Sequence, residues 1–248
     1  MIFLNGLRKL GEEPSYVKTN FIAMTARVGS TALVSGLQSI ELSKGPIREI
    51  FNPRSSMKEL LKESKATTLI EYLNYNSYKN GENGLTFKTN WMDFFPIKED
   101  ISHEIEFFMP NIKYIYVYRR DPVAQAYSLW KANAYNIWHR PEGSDYSSPV
   151  EGQVPLEGIK RNLISLKGEC AAWEKYFSAT NANPLRVAFE DIVSNFSETV
   201  SEIYGYFTGR KPAQEPKSYL TRSSDEKDMS ILQDIHFRLR QENYNDNN

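Results

Sequence analysis

Short apolar runs alternate along the chain with longer stretches whose apolar residues recur at helical spacing. That alternation predicts an α/β fold, with a mainly parallel central sheet flanked by helices. Strand candidates are residues 20–25 (NFIAMT), 85–88, 114–118 (YIYVY) and 185–189; the third, rich in β-branched and aromatic residues, reads as buried. Leu33, Val34, Leu37 and Ile40 follow the first strand at helical spacing, forming a βα unit across a Gly-containing turn. Further helical patterns cover 56–63, 67–78, 97–108, 122–138, 156–177, 191–206 and 225–243. Residues 140–155 (RPEGSDYSSPVEGQVP) are turn-rich and are expected to form a mobile surface loop joining helices. The polar end, 243–248, is expected to fray. No internal repeat is found, and the 248 residues are read as one domain, 1–248.

Composition narrows the function classes. Hydrophobic residues at 40% and charged residues at 25% are ordinary for a soluble globular chain. Thirty basic side chains nearly cancel 31 acidic ones, so no global field exists to hold a nucleic acid, and any anion site must be local. A lone cysteine, Cys170, cannot close an intramolecular disulfide, which points to a reducing, cytoplasmic setting. His103, His139 and His236 are scattered without HExxH spacing, so no metal is expected. The first residues, MIFLNGLRKL, have the wrong order for a signal peptide, and no apolar run is long enough to make an integral membrane protein. The sequon at Asn195 is therefore read as incidental.

Two basic motifs follow strand candidates. The first, Thr25-Ala26-Arg27-Val28-Gly29-Ser30-Thr31, turns on a glycine and opens a helix. Unpaired backbone N–H groups at a helix start favour an anion, and Arg27 adds a forked positive charge. The plainer alternative is that Ser30 or Thr31 merely caps the helix. The loop lacks the GxxxxGK[ST] of nucleotide triphosphatases. Sulfuryl transfer, which moves less charge than phosphoryl transfer, can proceed with protein donors alone, without Mg²⁺. The second motif, Arg119-Arg120-Asp121-Pro122, enters a helix bearing Gln125, Ser128, Trp130 and Lys131, with Pro122 suited to its first turn. Ligands of parallel sheets bind at the carboxyl ends of strands, so Arg27 and Arg119 are expected to face one crevice. Alternatively, Arg119 or Arg120 pairs with Asp121, and Trp130, Ala134 and Trp138 are plain core.

These residues resemble sulfotransferases that use 3′-phosphoadenosine-5′-phosphosulfate (PAPS), particularly the bacterial trehalose 2-sulfotransferase and lipopolysaccharide-sulfotransferase type. FIAMTARVGSTAL is similar to the 5′-phosphosulfate loop, SKGPIREIF to the Gly-to-Glu stretch after it, and YVYRRDPVAQAYSLWKA to the 3′-phosphate motif. LRVAFEDIVSN resembles the strand and acidic turn of these enzymes, and TRSSD a C-terminal nucleotide-contacting segment. The resemblance departs at Val28, where a serine is common, and at Arg48 and Ile50 beside the implied base. The segment before YIYVY, where acceptor-pocket helices would sit, is also shorter.

The resemblance implies a P-loop-like sulfotransferase fold and in-line sulfuryl transfer from PAPS, leaving 3′,5′-diphosphoadenosine (PAP). It implies that Arg27, Val28, Gly29, Ser30 and Thr31 hold the 5′-phosphosulfate, that Arg119 and Ser128 hold the 3′-phosphate, and that Arg222 adds to the nucleotide site. Glu49 matches the base, and Lys88 looks like a lysine contacting acceptor or sulfate. The ordinary alternative for Glu49 is a plain surface carboxylate or a partner for Arg48 or Arg54, and His139 is the rival base. Glu190 and Asp191 are expected to cap the helix after them. Implied acceptors are carbohydrates, glycolipids or small hydroxyl compounds, and a homodimer is left open. A P-loop-like nucleotide kinase or a non-catalytic nucleotide-binding protein is the alternative class.

Overall fold

The computed structural model describes residues 18–97, 112–136, 138, 154–218 and 226–242. Its centre is a four-stranded sheet of order β2-β1-β3-β4, built from β1 (Thr19–Met24), β2 (Leu85–Asn90), β3 (Ile112–Tyr118) and β4 (Leu185–Ala188). All three pairings are parallel, with Ile22 opposite both Lys88 and Ile115. The chain therefore winds outward from β1 in one direction and from β3 in the other, which puts the topological switch point between these two strands.

Period-two side chains of β1 divide the core. Phe21 and Ala23 join Phe87 and Tyr116 on one face, beneath α2 (Ser56–Ser64), α3 (Leu69–Asn80) and the short α4 (Trp91–Phe94). Trp173 and Phe177, late in the long helix α6 (Leu156–Ala179), complete that layer, and the Trp173 ring stacks on Phe94 at 5.2 Å. Ile22 and Met24 face the other way, with Ile115 and Val117. There they meet α1 (Ser30–Ser39), α7 (Phe189–Ser194) and α8 (Phe196–Thr208). A third cluster joins α5 (Pro122–Tyr135), early α6 and α9 (Glu226–Gln241). Burying each large apolar side chain contributes about 1.5–3 kcal/mol, so the layers fix the strand ends that carry the site.

Local signals explain most boundaries. Thr68 and Glu71 form a reciprocal capping box before α3. Asp121 caps α5 by accepting from Ala124 N, with Pro122 in the first turn. The helix expected over 122–138 stops at Tyr135, because Asn136 takes a left-handed φ of 54° and its N–H returns to Ala132 O. The pattern over 191–206 is two helices rather than one, broken at Asn195. The β2 strand continues two residues past Lys88, so Lys88 is an inner position, not its last. Of the helix expected over 97–108 only Ile97 is described, ending a 3₁₀ turn. The rest of it, residues 140–153 of the expected loop and the tail 243–248 lie outside the described residues.

Candidate active site

The loop between β1 and α1 is shaped by two left-handed residues, Arg27 at φ 65° and Gly29 at φ 73°. Only glycine suits position 29, because an added Cβ would lie 2.7 Å from Phe189 Cδ2. No side chain caps α1, which contradicts the plain capping role considered for Ser30 and Thr31. Gln125 of α5 braces the loop, donating from Nε2 to Thr25 Oγ1 (2.8 Å) and Ala26 O (2.6 Å). The Val28 side chain is wholly buried in the core, so only its backbone can serve an anion there. Thr31 lies half-buried in the first turn of α1.

Arg27 reaches from this loop to α5 and just beyond its end. Its Nε donates to Ser128 Oγ (3.1 Å) and its Nη1 to Trp138 O (2.6 Å). Arg119, just past β3, stacks its guanidinium 4.4 Å from the centre of the Phe189 ring and lies 3.9 Å from Glu190 Oε1. Arg119 Nε is buried with no hydrogen-bond acceptor among the described residues. Burial holds the pKa of both guanidiniums below the usual arginine value. For Arg119, Asp121 and Glu190 oppose that shift and the charge of Arg27 reinforces it. Two desolvated cations within electrostatic reach, at the ends of the two central strands, favour an anion between them.

The supposed pairing of Arg119 or Arg120 with Asp121 is not what forms. Arg120 binds Asp191 through two bonds (2.8 and 2.6 Å), while Asp121 caps α5. Glu190 accepts from Arg120 N at 3.1 Å, so neither acidic residue caps α7 as expected; both tie the β4 end to the β3 end. Trp130 packs beside the third core cluster and stacks on Tyr127, whereas Trp138 is 44% exposed. Helix α9 docks on α5 through buried Asp228, which accepts from Tyr127 and Lys131 at 2.7 Å each.

A second cluster adjoins the loop on the β2 side. Lys88 Nζ lies 3.5 Å from Ser30 Oγ and 3.2 Å from Glu49 Oε1, linking the anion loop to the candidate base. Arg48 pairs with Glu59 and Arg54 with Asp93, so the surface pairings considered for Glu49 are taken by other carboxylates. Glu49 Oε2 instead accepts from Asn52 Nδ2 at 2.7 Å. Buried Asp93 accepts from Asn90 Nδ2 at 2.6 Å; burial raises its pKa, with the Asn90 bond and the Arg54 charge opposing.

The fold thus gathers Arg27, Gly29, Ser30, Lys88 and Glu49 into one run and joins it through Arg27 to Ser128, with Arg119 within electrostatic reach of Arg27. Arg222 and His139 lie outside the described residues. Sequence reasoning passed over Asn52, Phe189 and the site role of Glu190. Phe189 and Glu190 had a visible signal, because they stand where β4 ends. Among the described residues no group of three or more His, Cys, Asp or Glu is disposed to hold a metal. None of the described helices is long and apolar enough to cross a membrane.

Comparison with known proteins adds sequence relatives. The trehalose 2-sulfotransferase of Mycolicibacterium smegmatis is 26% identical over 114 residues, covering 46% of this chain and 41% of that protein. The trehalose 2-sulfotransferase of Mycobacterium tuberculosis is 24% identical over 115 residues, covering 46% of this chain and 42% of that protein. The match spans less than half of each relative's length. Among solved structures, the sulfotransferase domain of the Synechococcus PCC 7002 olefin synthase superposes with a TM-score of 0.49 at 16% identity, covering 89% of this chain and 85% of that one. The profile of the Stf0 sulphotransferase family matches residues 80–235, from before β2 into α9 and through the Arg119 motif. With more than half of its length matched, this chain belongs to the Stf0 sulphotransferase family.

Proposed function

We propose that the chain transfers a sulfuryl group from PAPS to a hydroxyl of a carbohydrate or another small acceptor, in line and with Glu49 as base. The observation that carries this reading is the pair of desolvated guanidiniums, Arg27 and Arg119, at the ends of adjacent central strands, with Arg119 Nε lacking an acceptor among the described residues. Arg119 and Ser128 hold the 3′-phosphate. Arg27 and the backbone N–H groups of residues 28–31 hold the 5′-phosphosulfate. Arg222, by its sequence position alone, adds to the nucleotide site.

In the reaction the acceptor oxygen forms a bond to sulfur while the bond from sulfur to the bridging oxygen breaks. Its electron pair stays on the 5′-phosphate of the departing PAP. Glu49 takes the hydroxyl proton, and Lys88, between Glu49 and Ser30, donates to the oxygens on which charge builds. Fixed donors in a partly dry site need little reorganisation at that moment, so protein groups serve without a metal. Polar side chains around Glu49 suit a sugar hydroxyl, and the two trehalose sulfotransferases support a carbohydrate acceptor. The single cysteine fits a cytoplasmic setting.

Thermal denaturation in EDTA tests the reading. A ligand at a hundred times its Kd adds about 2.7 kcal/mol of stability, so PAP should raise Tm well above the effect of AMP at equal concentration. Equal shifts would remove the 3′-phosphate site, and stabilisation by ATP only with Mg²⁺ would favour a kinase.

A further inference from the structure

We infer that Asn52 is the positioning residue of the base, an inference that rests on the proposed role of Glu49. Residues 49–52 form a turn closed by Asn52 N donating to Glu49 O at 2.9 Å, so backbone and side chain of Asn52 both close on Glu49. The side-chain amide has only one workable orientation. Its Oδ1 accepts from Arg54 N at 2.9 Å, and an oxygen there leaves the NH₂ group facing Glu49 Oε2, at 2.7 Å. Pro53 brings no N–H to compete and restricts the backbone next to Asn52.

Each oxygen of the base then has one fixed donor: Lys88 on Oε1 and Asn52 on Oε2. A carboxylate held at both oxygens cannot rotate about its terminal bond, and each oxygen keeps a lone pair for an acceptor hydroxyl. Lys88 is also within reach of Ser30, beside the loop proposed to bind the donor, so its hold on Glu49 is shared with that loop. Among the described residues Asn52 has no second acceptor for its NH₂ group. It is the partner that keeps the base aimed while Lys88 follows the charge.

Two substitutions separate this role from simple turn-making. Asn52→Asp keeps an oxygen for Arg54 N but has no NH₂ to give Glu49, whereas Asn52→Ala loses both bonds. The assay is release of PAP from PAPS, with trehalose as acceptor and, in parallel, with water alone. Positioning predicts that both variants lose about ten- to a hundredfold in kcat, the worth of a hydrogen bond to a charged group. KM for PAPS and PAP affinity should stay within about twofold. In a Glu49→Gln background neither substitution should lower kcat further. Wild-type kcat in Asn52→Asp, with only Asn52→Ala impaired and less stable, would reduce Asn52 to a turn residue and overturn the inference. Full kcat in Glu49→Gln would remove the base and the Asn52 role with it. Impairment of Glu49→Gln alone would leave the base standing and reject Asn52. No turnover of PAPS in the wild type with trehalose, with a panel of other sugars, glycolipids and small alcohols, or with water would overturn the proposed function and this inference together.

Discussion

Arg27 donates from Nε to Ser128 Oγ at 3.1 Å, bonding the loop after β1 to the helix after β3 across 101 positions of sequence. The two proposed halves of the nucleotide site are therefore already in contact. Ser128→Ala should weaken PAP binding several-fold, and Arg27→Ala more. The double variant should fall short of additivity by about 0.5–1.5 kcal/mol, the usual net worth of one hydrogen bond. Calorimetric titration of PAP into the four proteins checks this; strict additivity would mean the two groups act separately.

Arg119→Ala should cost about ten- to a hundredfold in PAP affinity and far less in AMP affinity, because only PAP carries the 3′-phosphate. Arg119→Lys should rescue poorly: an ammonium offers no fork, and it stacks less well on the Phe189 ring that now lies 4.4 Å from the guanidinium. Equal losses for both nucleotides would make Arg119 structural.

Glu49→Gln preserves shape and one oxygen but cannot carry the proton. General-base removal costs about 10² to 10⁴ in rate, so kcat should fall by that much while PAP affinity stays near normal. Single-turnover kinetics with PAPS and a sugar acceptor are the measurement. A variant keeping more than about a tenth of normal kcat, with chemistry rate-limiting, would place the base elsewhere.

Gly29→Ala puts an L side chain at φ 73°, costing about 1–2 kcal/mol, and sets its Cβ 2.7 Å from Phe189 Cδ2. Because Phe189 also carries Arg119, the substitution should lower both stability and PAP affinity. Urea denaturation and PAP titration of the same variant test the pair of effects; a loss of stability with unchanged affinity would uncouple the loop from Arg119.

Glu169 on α6 has its pKa raised to about 7, first by burial and then by the charge of Asp93. The folded state thus binds a proton that the unfolded chain releases near pH 4.5. The favourable contribution is complete below that value and is lost as pH rises through about 7. Glu169→Gln should raise Tm relative to the wild type at pH 8 and have much less effect at pH 5. Equal shifts at both pH values would show that Glu169 keeps no raised pKa.

The fold class and strand centres were legible because period and β-propensity are local properties. Residues 20–25 and 114–118 each needed only their own composition to read as strands, and the observed edges differ by one or two residues. Helix ends were less legible. Nothing in the run to Trp138 announces that Asn136 turns left-handed, since asparagine tolerates that conformation without requiring it. Among the candidate site residues, the two arginine motifs were visible because each follows a strand. Asn52 was not, because an asparagine before a proline reads as an ordinary turn until the carboxylate beside it is known.

By itself, the sequence determined the parallel α/β architecture and the two basic motifs at strand ends. These follow from periodicity and from short spacings along one chain. Tertiary structure alone decided which partner each charge takes. Arg120 meets Asp191 instead of its neighbour Asp121, Arg48 meets Glu59 instead of Glu49, and Lys88 reaches both Glu49 and Ser30. The reason is physical. A side chain's options are set by which strands lie side by side, and the order β2-β1-β3-β4 brings together residues that no local pattern connects.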